Sequence, residues 1–141
     1  MKPEDAGLIE AAQAVQGGFR LRENFYAGTV AAAIRTARGK VYTGICIDLA
    51  CGLGFCAEVA AVAEMLKNRE THIKTVAAVG QEGVLGGPCG RCREMIAQLD
   101  QRNLECRVLL HDDKETTIKE LLPNHWLEDT DSTEMVERDG G

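Results

Sequence analysis

The chain lacks any apolar run of the ~20 residues that a membrane-spanning helix needs. The opening residues, Met-Lys-Pro-Glu-Asp, also lack the apolar segment of a secretory signal. From these two absences we expect a cytoplasmic protein that does not associate with a membrane.

Clustered positive charge is also missing from the sequence. The 141 residues include 16 Lys and Arg against 22 Asp and Glu, which gives a formal net charge of -6. The basic residues are scattered, whereas proteins that grip a polyphosphate backbone group their cations. We therefore expect no nucleic acid polymer among the partners.

Aromatic residues are scarce as well, with three Phe, two Tyr and one Trp. The core must therefore consist largely of Ala, Val, Ile and Leu. The apolar share of 45% and the charged share of 27% are those of an ordinary globular protein, and the length suits a single domain. We predict one domain over residues 1–127 and an acidic, mobile tail over residues 128–141.

Helix-like and strand-like patterns alternate along the chain. A strand–helix–strand succession implies parallel pairing, whereas a hairpin is antiparallel. The patterns therefore predict an α/β domain in which helices flank a mixed β-sheet. The first predicted helix begins at Pro3 and ends before Gly17, and the others cover about residues 56–68, 90–99 and 117–122. The predicted strands cover residues 28–36, 41–48, 73–79 and 106–110, the first two as a hairpin, with loops at 49–55 and 80–88.

Six cysteines are present, and in a cytoplasmic chain they are more readily metal ligands, catalytic thiols or core residues than disulfides. Cys89 and Cys92 are three positions apart at a predicted helix start, so they face the same side. Cys56 begins another predicted helix, and two helix N-termini that converge at one sheet edge would bring the three sulfurs together. These N-termini should lower the thiol pKa values. Cys106, in a predicted strand, is expected to be a buried apolar side chain.

Three thiolates would leave one position open on a zinc ion. A structural zinc site is closed by a fourth protein ligand, whereas a catalytic site keeps three and leaves a place for water. An open site is favoured, because none of the possible fourth ligands has a motif-like spacing. These candidates are Cys51, His72, His111 and His125.

Glu58 follows Cys56 in the first turn of the second predicted helix. Alone, such a residue would be interpreted as an acid that stabilises the helix dipole. Beside three thiols, a carboxylate can instead hold a proton next to a zinc-bound water. We therefore predict that Glu58 is catalytic.

Two motifs, Cys-Ala-Glu at 56–58 and Pro-Cys-Gly-Arg-Cys-Arg at 88–93, together resemble the zinc site of the cytidine deaminase family. The resemblance extends over about residues 28–126. It includes Val-Ala-Ala-Ala-Ile at 30–34, the hairpin residues 39–44, and Leu-Leu-Pro at 121–123 with the nearby Trp126.

This resemblance implies a three-layer cytidine deaminase-like fold and one Zn²⁺ per chain, held by Cys56, Cys89 and Cys92. It implies hydrolytic deamination, in which zinc-bound hydroxide attacks C4 of a cytosine ring while Glu58 moves a proton to N3 and then to the leaving ammonia. The peptide around Ala57 would face the pyrimidine. The substrate would be a small cytosine-containing nucleoside or analogue, of the cytidine, deoxycytidine or blasticidin S type, and the assembly a homodimer or homotetramer.

The residues that would contact the sugar differ from the motif of the cytidine deaminase family. Ribonucleoside-specific members carry Asn-X-Glu on the second strand, and this chain has Cys46-Ile47-Asp48 there. Asp48 can still accept a hydrogen bond from a hydroxyl group, but Cys46 cannot replace an amide. Gly28 stands where the family has a phenylalanine. Cys46 and Asp48 are thus the candidate contacts to whatever the cytosine ring carries.

The residues around the metal also differ. Three thiolates give bound Zn²⁺ a net charge of about -1, and many three-cysteine members offset this with an arginine directly after Cys-Ala-Glu. Val59 occupies that position here, so Arg91 is the candidate to balance the charge. In these details the chain is similar to the blasticidin S deaminases of the family. Arg93 is expected to bind a backbone group or a carboxylate, and Trp126 either caps the core or forms a wall of the pocket.

Two other functions remain open from the sequence. One is a structural zinc module, in which Cys51 or a histidine completes the coordination. The other is a catalytically silent family member that binds a nucleobase without deaminating it.

Overall fold

The computed structural model of the protein describes residues 1–129. Helices and strands alternate along this part of the chain, as the sequence predicts. The helices are α1 (Pro3–Val15), α2 (Ala57–Lys67), α3 (Gly90–Leu99) and α4 (Ile118–Leu121). The strands are β1 (Phe19–Arg22), β2 (Phe25–Thr36), β3 (Val41–Asp48), β4 (Ile73–Val79), β5 (Leu85–Gly86), β6 (Arg107–Leu109) and β7 (Glu115–Thr117).

One mixed sheet contains these strands, in the order β1-β2-β4-β6-β7. Strand β3 pairs with β2 and strand β5 with β4. Strands β4 and β6, which flank α3 in the chain, are parallel, whereas β2 is antiparallel to β1, β3 and β4. This arrangement confirms the predicted parallel crossover and the predicted hairpin.

Side chains of successive strand residues point to opposite faces of the sheet, and helices cover both faces. Ala31 and Ala33 of β2 lie in a buried cluster with Leu8 of α1. Ile34 belongs to a second cluster, on the side where Met65 of α2 is buried. The result is three layers, with α1 on one face of the sheet and α2 and α3 on the other, so the predicted α/β fold is confirmed.

The sequence patterns missed β1, β5 and β7 and placed the start of β2 at residue 28 instead of Phe25. All four residues of β1 are exposed, so this strand has no alternation of buried and exposed side chains. Strands β5 and β7 have two and three residues, too few to show a period. Backbone pairing to their neighbours, which a residue pattern does not record, holds all three strands in the sheet.

The end of the chain leaves some predictions untested. Residues 130–141 are outside the described part, so the domain at 1–127 and the mobile tail at 128–141 stay predictions. Within residues 1–129, no helix is both long and apolar enough to span a membrane.

Helix α2 lies unusually close to β3 at Gly44. A methyl group at this position would come within 2.6 Å of the Ala57 carbonyl oxygen and of the Ala60 Cβ atom, and within 2.5 Å of the Ala61 nitrogen. Two of these three neighbours are backbone atoms, which cannot rotate away. Glycine at position 44 therefore sets how closely the first turn of α2 approaches the sheet.

We predict that Gly44→Ala lowers the free energy of unfolding by about 1–3 kcal/mol, as overpacking of a well-filled site does. The matched control is Gly7→Ala in α1, where a methyl group meets nothing within 4 Å. It should raise stability by up to about 1 kcal/mol, since alanine favours helix. Urea unfolding of the three proteins provides the measurement, and equal stability of Gly44→Ala and the parent would contradict the prediction.

An ion pair ties α1 to β6 on the opposite side of the sheet from α2. The Arg107 guanidinium donates to both carboxylate oxygens of Asp5, at 3.1 and 2.7 Å, and its Nε donates to Glu115 at 2.6 Å. Asp5 is 3% exposed. Hydrogen bonding from Arg107 lowers the pKa of Asp5 below its usual value, although burial acts in the opposite direction.

We predict that Asp5→Asn lowers the free energy of unfolding at neutral pH by about 1–3 kcal/mol, because the half-buried Arg107 guanidinium loses the more buried of its two charged acceptors. The folded-state pKa of Asp5 is depressed, so its stabilisation is complete above the unfolded pKa of about 3.9 and is lost as pH falls through the folded value. Urea unfolding from pH 7 down to pH 3 should show that the difference in free energy of unfolding between the parent and Asp5→Asn becomes smaller in acid. Glu10→Gln, on the exposed side of α1, is the control. If the stability difference between the parent and Asp5→Asn stays the same in acid, the ion pair of Asp5 with Arg107 is not its cause.

Candidate active site

A cleft of about 810 Å³ lies where strand ends meet the N-termini of α2 and α3. Its floor comes from Thr29 and Val30 of β2, from the end of β3, and from Ala78 of β4. Cys56 and Cys89 are the N-cap residues of the two helices, so both helix N-termini face the cleft. This convergence, which the sequence predicts, brings distant parts of the chain to one place.

Three thiols cluster in this cleft. The sulfurs of Cys56, Cys89 and Cys92 all lie within 4.8 Å of one another, and those of Cys56 and Cys89 are 3.3 Å apart. In residues 1–129 this is the one group of three or more potential metal ligands that is so closely spaced. Cysteine sulfurs in such a set suit zinc.

Among the described residues, none of the candidate fourth ligands belongs to this cluster. These candidates are Cys51, His72, His111 and His125. The donor set therefore fits an ion with three protein ligands and an open position. Cys106 is 1% exposed and lies in the core, where burial raises its pKa to about 12, so its prediction as a buried apolar residue is confirmed.

The predicted lowering of the thiol pKa values holds for one of the three. Burial acts to raise the pKa of Cys89, but hydrogen bonds from the Cys92 backbone and from the neighbouring thiols outweigh it and the pKa is lowered. The prediction is wrong for Cys56, whose pKa is raised by burial and by hydrogen bonding to Cys89. It is also wrong for Cys92, where burial and the charge of Glu58 raise the pKa far above the ordinary value. Withdrawal from water outweighs the helix N-termini at these two sulfurs.

Glu58 is 3% exposed and lies directly beside the thiols. Its Oε2 atom accepts a hydrogen bond from the Cys92 thiol at 3.5 Å. Within the described residues no Lys, Arg or His forms an ion pair with this carboxylate. A buried carboxylate at a metal-type cluster, with no basic partner, has the position expected of a group that carries a proton.

The candidate substrate contacts Cys46 and Asp48 both line the cleft, as does the fully buried Ala57. The Thr29 hydroxyl lies 3.2 Å from the Cys46 sulfur and donates to Asp48 Oδ2 at 3.4 Å. Thr29 was not foreseen, because a bulge between Ala27 and Ala31 shifts the register of β2 against β3. Counting alternate residues from the hairpin turn predicts which face a side chain occupies only as far as such a bulge, where the register changes.

The remaining candidates lie in three different environments. Arg91 is exposed and lines the cleft near Cys89. Arg93 donates to the backbone oxygens of Pro88, at 2.8 Å, and of Leu121, at 3.2 Å, so its expected binding of backbone is confirmed. Trp126 is 54% exposed and is not among the residues lining the cleft of this chain.

Known proteins of one family are similar to this chain. Blasticidin-S deaminase from Bacillus cereus is 31% identical over 106 residues, which cover 67% of this chain and 74% of that protein. The crystal structure of cytidine deaminase from Mycobacterium tuberculosis is similar with a TM-score of 0.73 and 28% identity, over 89% of this chain and 98% of that one. Cytidine deaminase from Burkholderia pseudomallei gives a TM-score of 0.70 and 30% identity, over 89% and 100%.

No family model matches the sequence. The relatives and the shared three-layer fold nevertheless place the chain in the cytidine deaminase family, to which it belongs. The named relatives are deaminases, enzymes of the aminohydrolase class. The resemblance and the fold class inferred from the sequence are thus confirmed.

We predict that the purified protein holds about one zinc ion per chain and that serine at position 56, 89 or 92 sharply lowers this content, since each change removes one of three ligands. Cys51→Ser, at an exposed thiol outside the cluster, should retain the metal. Elemental analysis after dialysis measures the zinc. Loss of zinc from Cys51→Ser would show that the coordination is closed by that residue.

Proposed function

We propose that the protein is a zinc-dependent hydrolytic deaminase of a small cytosine-containing nucleoside or analogue, of the cytidine, deoxycytidine or blasticidin S type. The observation that carries this proposal is the buried Glu58 carboxylate beside the three-thiol cluster, at the wall of a cleft. Membership of the cytidine deaminase family supports the reaction class.

One Zn²⁺ per chain would be held by Cys56, Cys89 and Cys92. When bound, it would supply Lewis-acid activation of a water molecule. Three thiolates would exceed the charge of the ion, and Arg91, the one Lys or Arg among the cleft-lining residues of the described chain, would offset the excess.

Glu58 would carry the proton through the reaction. Its carboxylate would accept one proton from the attacking water and pass it to N3 of the ring, and would then move the second proton, from the hydroxyl formed on C4, to the exocyclic nitrogen. The bond from C4 to that nitrogen then breaks, ammonia leaves, and C4 keeps the oxygen of water as a carbonyl. Burial of Glu58 limits exchange of this proton with bulk water.

The cleft suits a molecule of nucleoside size, because ligand cavities of small organic molecules are about 300–1,000 Å³ and this one is about 810 Å³. Val30, Ala57 and Ala78 provide small apolar surface against which a pyrimidine ring can lie. Cys46 and Asp48 would contact the group that the ring carries. Arg91 would lie at the end of the cleft that holds the thiols.

We also propose that the protein works in the cytoplasm as a homodimer or homotetramer. Phe19, Leu21 and Leu53 are 52%, 49% and 73% exposed in the single chain. Where exposed apolar side chains form a contiguous patch, they mark a surface that binds another protein. A structural zinc module is less well supported, because it needs a fourth ligand and none of the described residues joins the cluster.

Ammonia release from cytosine, cytidine, deoxycytidine, methylated cytidines and blasticidin S tests the proposal directly. We predict that Glu58→Gln keeps its zinc but loses at least about 10²–10⁴-fold in rate, the usual contribution of a positioned acid or base. Glu64→Gln, an exposed residue of the same helix, is the matched control and should keep full activity.

Two results would contradict the proposal. If the zinc-loaded parent releases no ammonia from any compound but binds one of them, the protein is a silent nucleobase-binding member. If Glu58→Gln is as active as the parent, Glu58 does not carry the proton.

A further inference from the structure

The Arg93 side chain, near the start of α3, joins two segments of the chain that are far apart in sequence. Its Nε atom donates to the Pro88 carbonyl oxygen at 2.8 Å, and its Nη1 atom donates to the Leu121 carbonyl oxygen at 3.2 Å. Pro88 immediately precedes Cys89, and Leu121 is the last residue of α4. One guanidinium therefore ties the peptide before a clustered thiol to a separate helix.

The hydrogen bond to Pro88 acts on the peptide unit that also contains the Cys89 nitrogen. Because the atoms of a peptide unit are coplanar, a donor that fixes the Pro88 oxygen also fixes where the Cys89 Cα atom lies. The Arg93 backbone N–H donates to the Cys89 carbonyl oxygen at 3.0 Å. Arg93 thus holds the carbonyl groups on both sides of the Cys89 Cα atom.

The chain before this peptide has little restraint of its own. Gly86 and Gly87 precede Pro88, and glycine is the residue with the greatest conformational freedom. A methyl group at Gly86 would meet nothing within 4 Å, so packing does not confine that position either. The hydrogen bond from Arg93 therefore restrains a segment that its own sequence leaves free.

Helix α4 is a fixed support for the other end of the contact. Ile118, at its start, is fully buried, and its backbone N–H donates to the Cys106 carbonyl oxygen at 3.0 Å. The Leu121 carbonyl lies in the last turn, where oxygens have no partner within the helix, and Arg93 supplies the donor. Helix α4 is thus held to the sheet without help from the thiols.

The surroundings of Arg93 separate it from the residues that would touch a bound molecule. Its half-buried side chain is not among the residues that line the cleft. Within residues 1–129 it forms no ion pair with an Asp or Glu. A planar guanidinium can reach two acceptors in fixed directions, whereas a lysine ammonium is a single point.

We propose that Arg93 is a positioning residue of the metal site. By holding the peptide before Cys89 against α4, it keeps the Cys89 sulfur at the distance from Cys56 and Cys92 at which all three bind one zinc ion. This inference rests on the proposed function, because it takes the three thiols as zinc ligands. Groups that orient metal ligands from outside the coordination sphere contribute about 10–100-fold to metal affinity.

The zinc affinity of the purified holoprotein, measured by competition with a chromophoric chelator at neutral pH, tests the proposal. Arg93→Met keeps an unbranched side chain and removes the donors and the charge, and we expect its affinity to be about 10–100-fold below that of the parent. Arg93→Lys keeps the charge and much of the apolar stem but loses the two-pronged geometry. We expect its affinity to stay well below that of the parent as well.

Two control variants should keep the zinc affinity of the parent. Asp5→Asn, on the opposite face of the sheet from α3, lowers stability without touching the thiol cluster. Arg102→Met makes the same substitution at an exposed arginine beyond the end of α3, which donates to Asp100. Circular dichroism checks the fold of each variant. If Arg93→Met does not fold, Arg93→Lys decides alone.

Three results would overturn the inference. Parent-like zinc affinity in Arg93→Met would show that the side chain has no role at the metal. Full recovery in Arg93→Lys would assign the effect to charge. An equal loss of affinity in Asp5→Asn would assign it to the stability of the fold.

The proposed function is judged by a different measurement. A parent that holds zinc but releases no ammonia from any of the cytosine compounds would remove the deaminase proposal and leave the assignment of Arg93 standing. A parent that binds no zinc would remove both.

Discussion

The close approach of α2 to β3 at Gly44 is the constraint on which the site depends. The Ala57 carbonyl oxygen lies where a side chain of residue 44 would begin, so the first turn of α2 rests on the sheet itself. That turn carries Cys56 and Glu58. A larger residue at position 44 would lift both away from the thiols at the start of α3. Packing density, more than any bond at the site, therefore sets the distances between the reactive groups.

Local sequence patterns were sufficient for the parts of the fold that bury one face. Helix α2 has an apolar stripe, and β4 is a short run that is buried at six of its seven residues. The structure places α2, α3, β3 and β4 within a residue of the predicted bounds. The three thiols could be grouped because two helix starts carry them. Features that depend on pairing between distant residues, such as the exposed β1 and the bulge in β2, have no local signal. Thr29 was missed for that reason.

Burial decides the electrostatics of the thiol cluster. The N-terminus of a helix favours a thiolate, yet the pKa values of Cys56 and Cys92 are raised, with burial as the largest cause in both. Three thiolates and the Glu58 carboxylate within a few ångströms would repel one another. A dication relieves this repulsion at all of them together. The residues that make the cluster unfavourable as three thiolates thus make it favourable as a metal site.

Two carboxylates share the cleft, and their surroundings separate their roles. Glu58 is 3% exposed and contacts a ligand-type thiol, so a proton on it is shielded from bulk water and can pass to a group held in the cleft. Asp48 is exposed and has one oxygen fixed by Thr29 and Cys46, so it offers a stationary acceptor that an incoming molecule can reach. Because no described hydrogen bond joins the two, substitutions near Asp48 can change what is bound while the arrangement around Glu58 stays intact. In the function that we propose, reaction and recognition would thus be carried by different residues of one cleft.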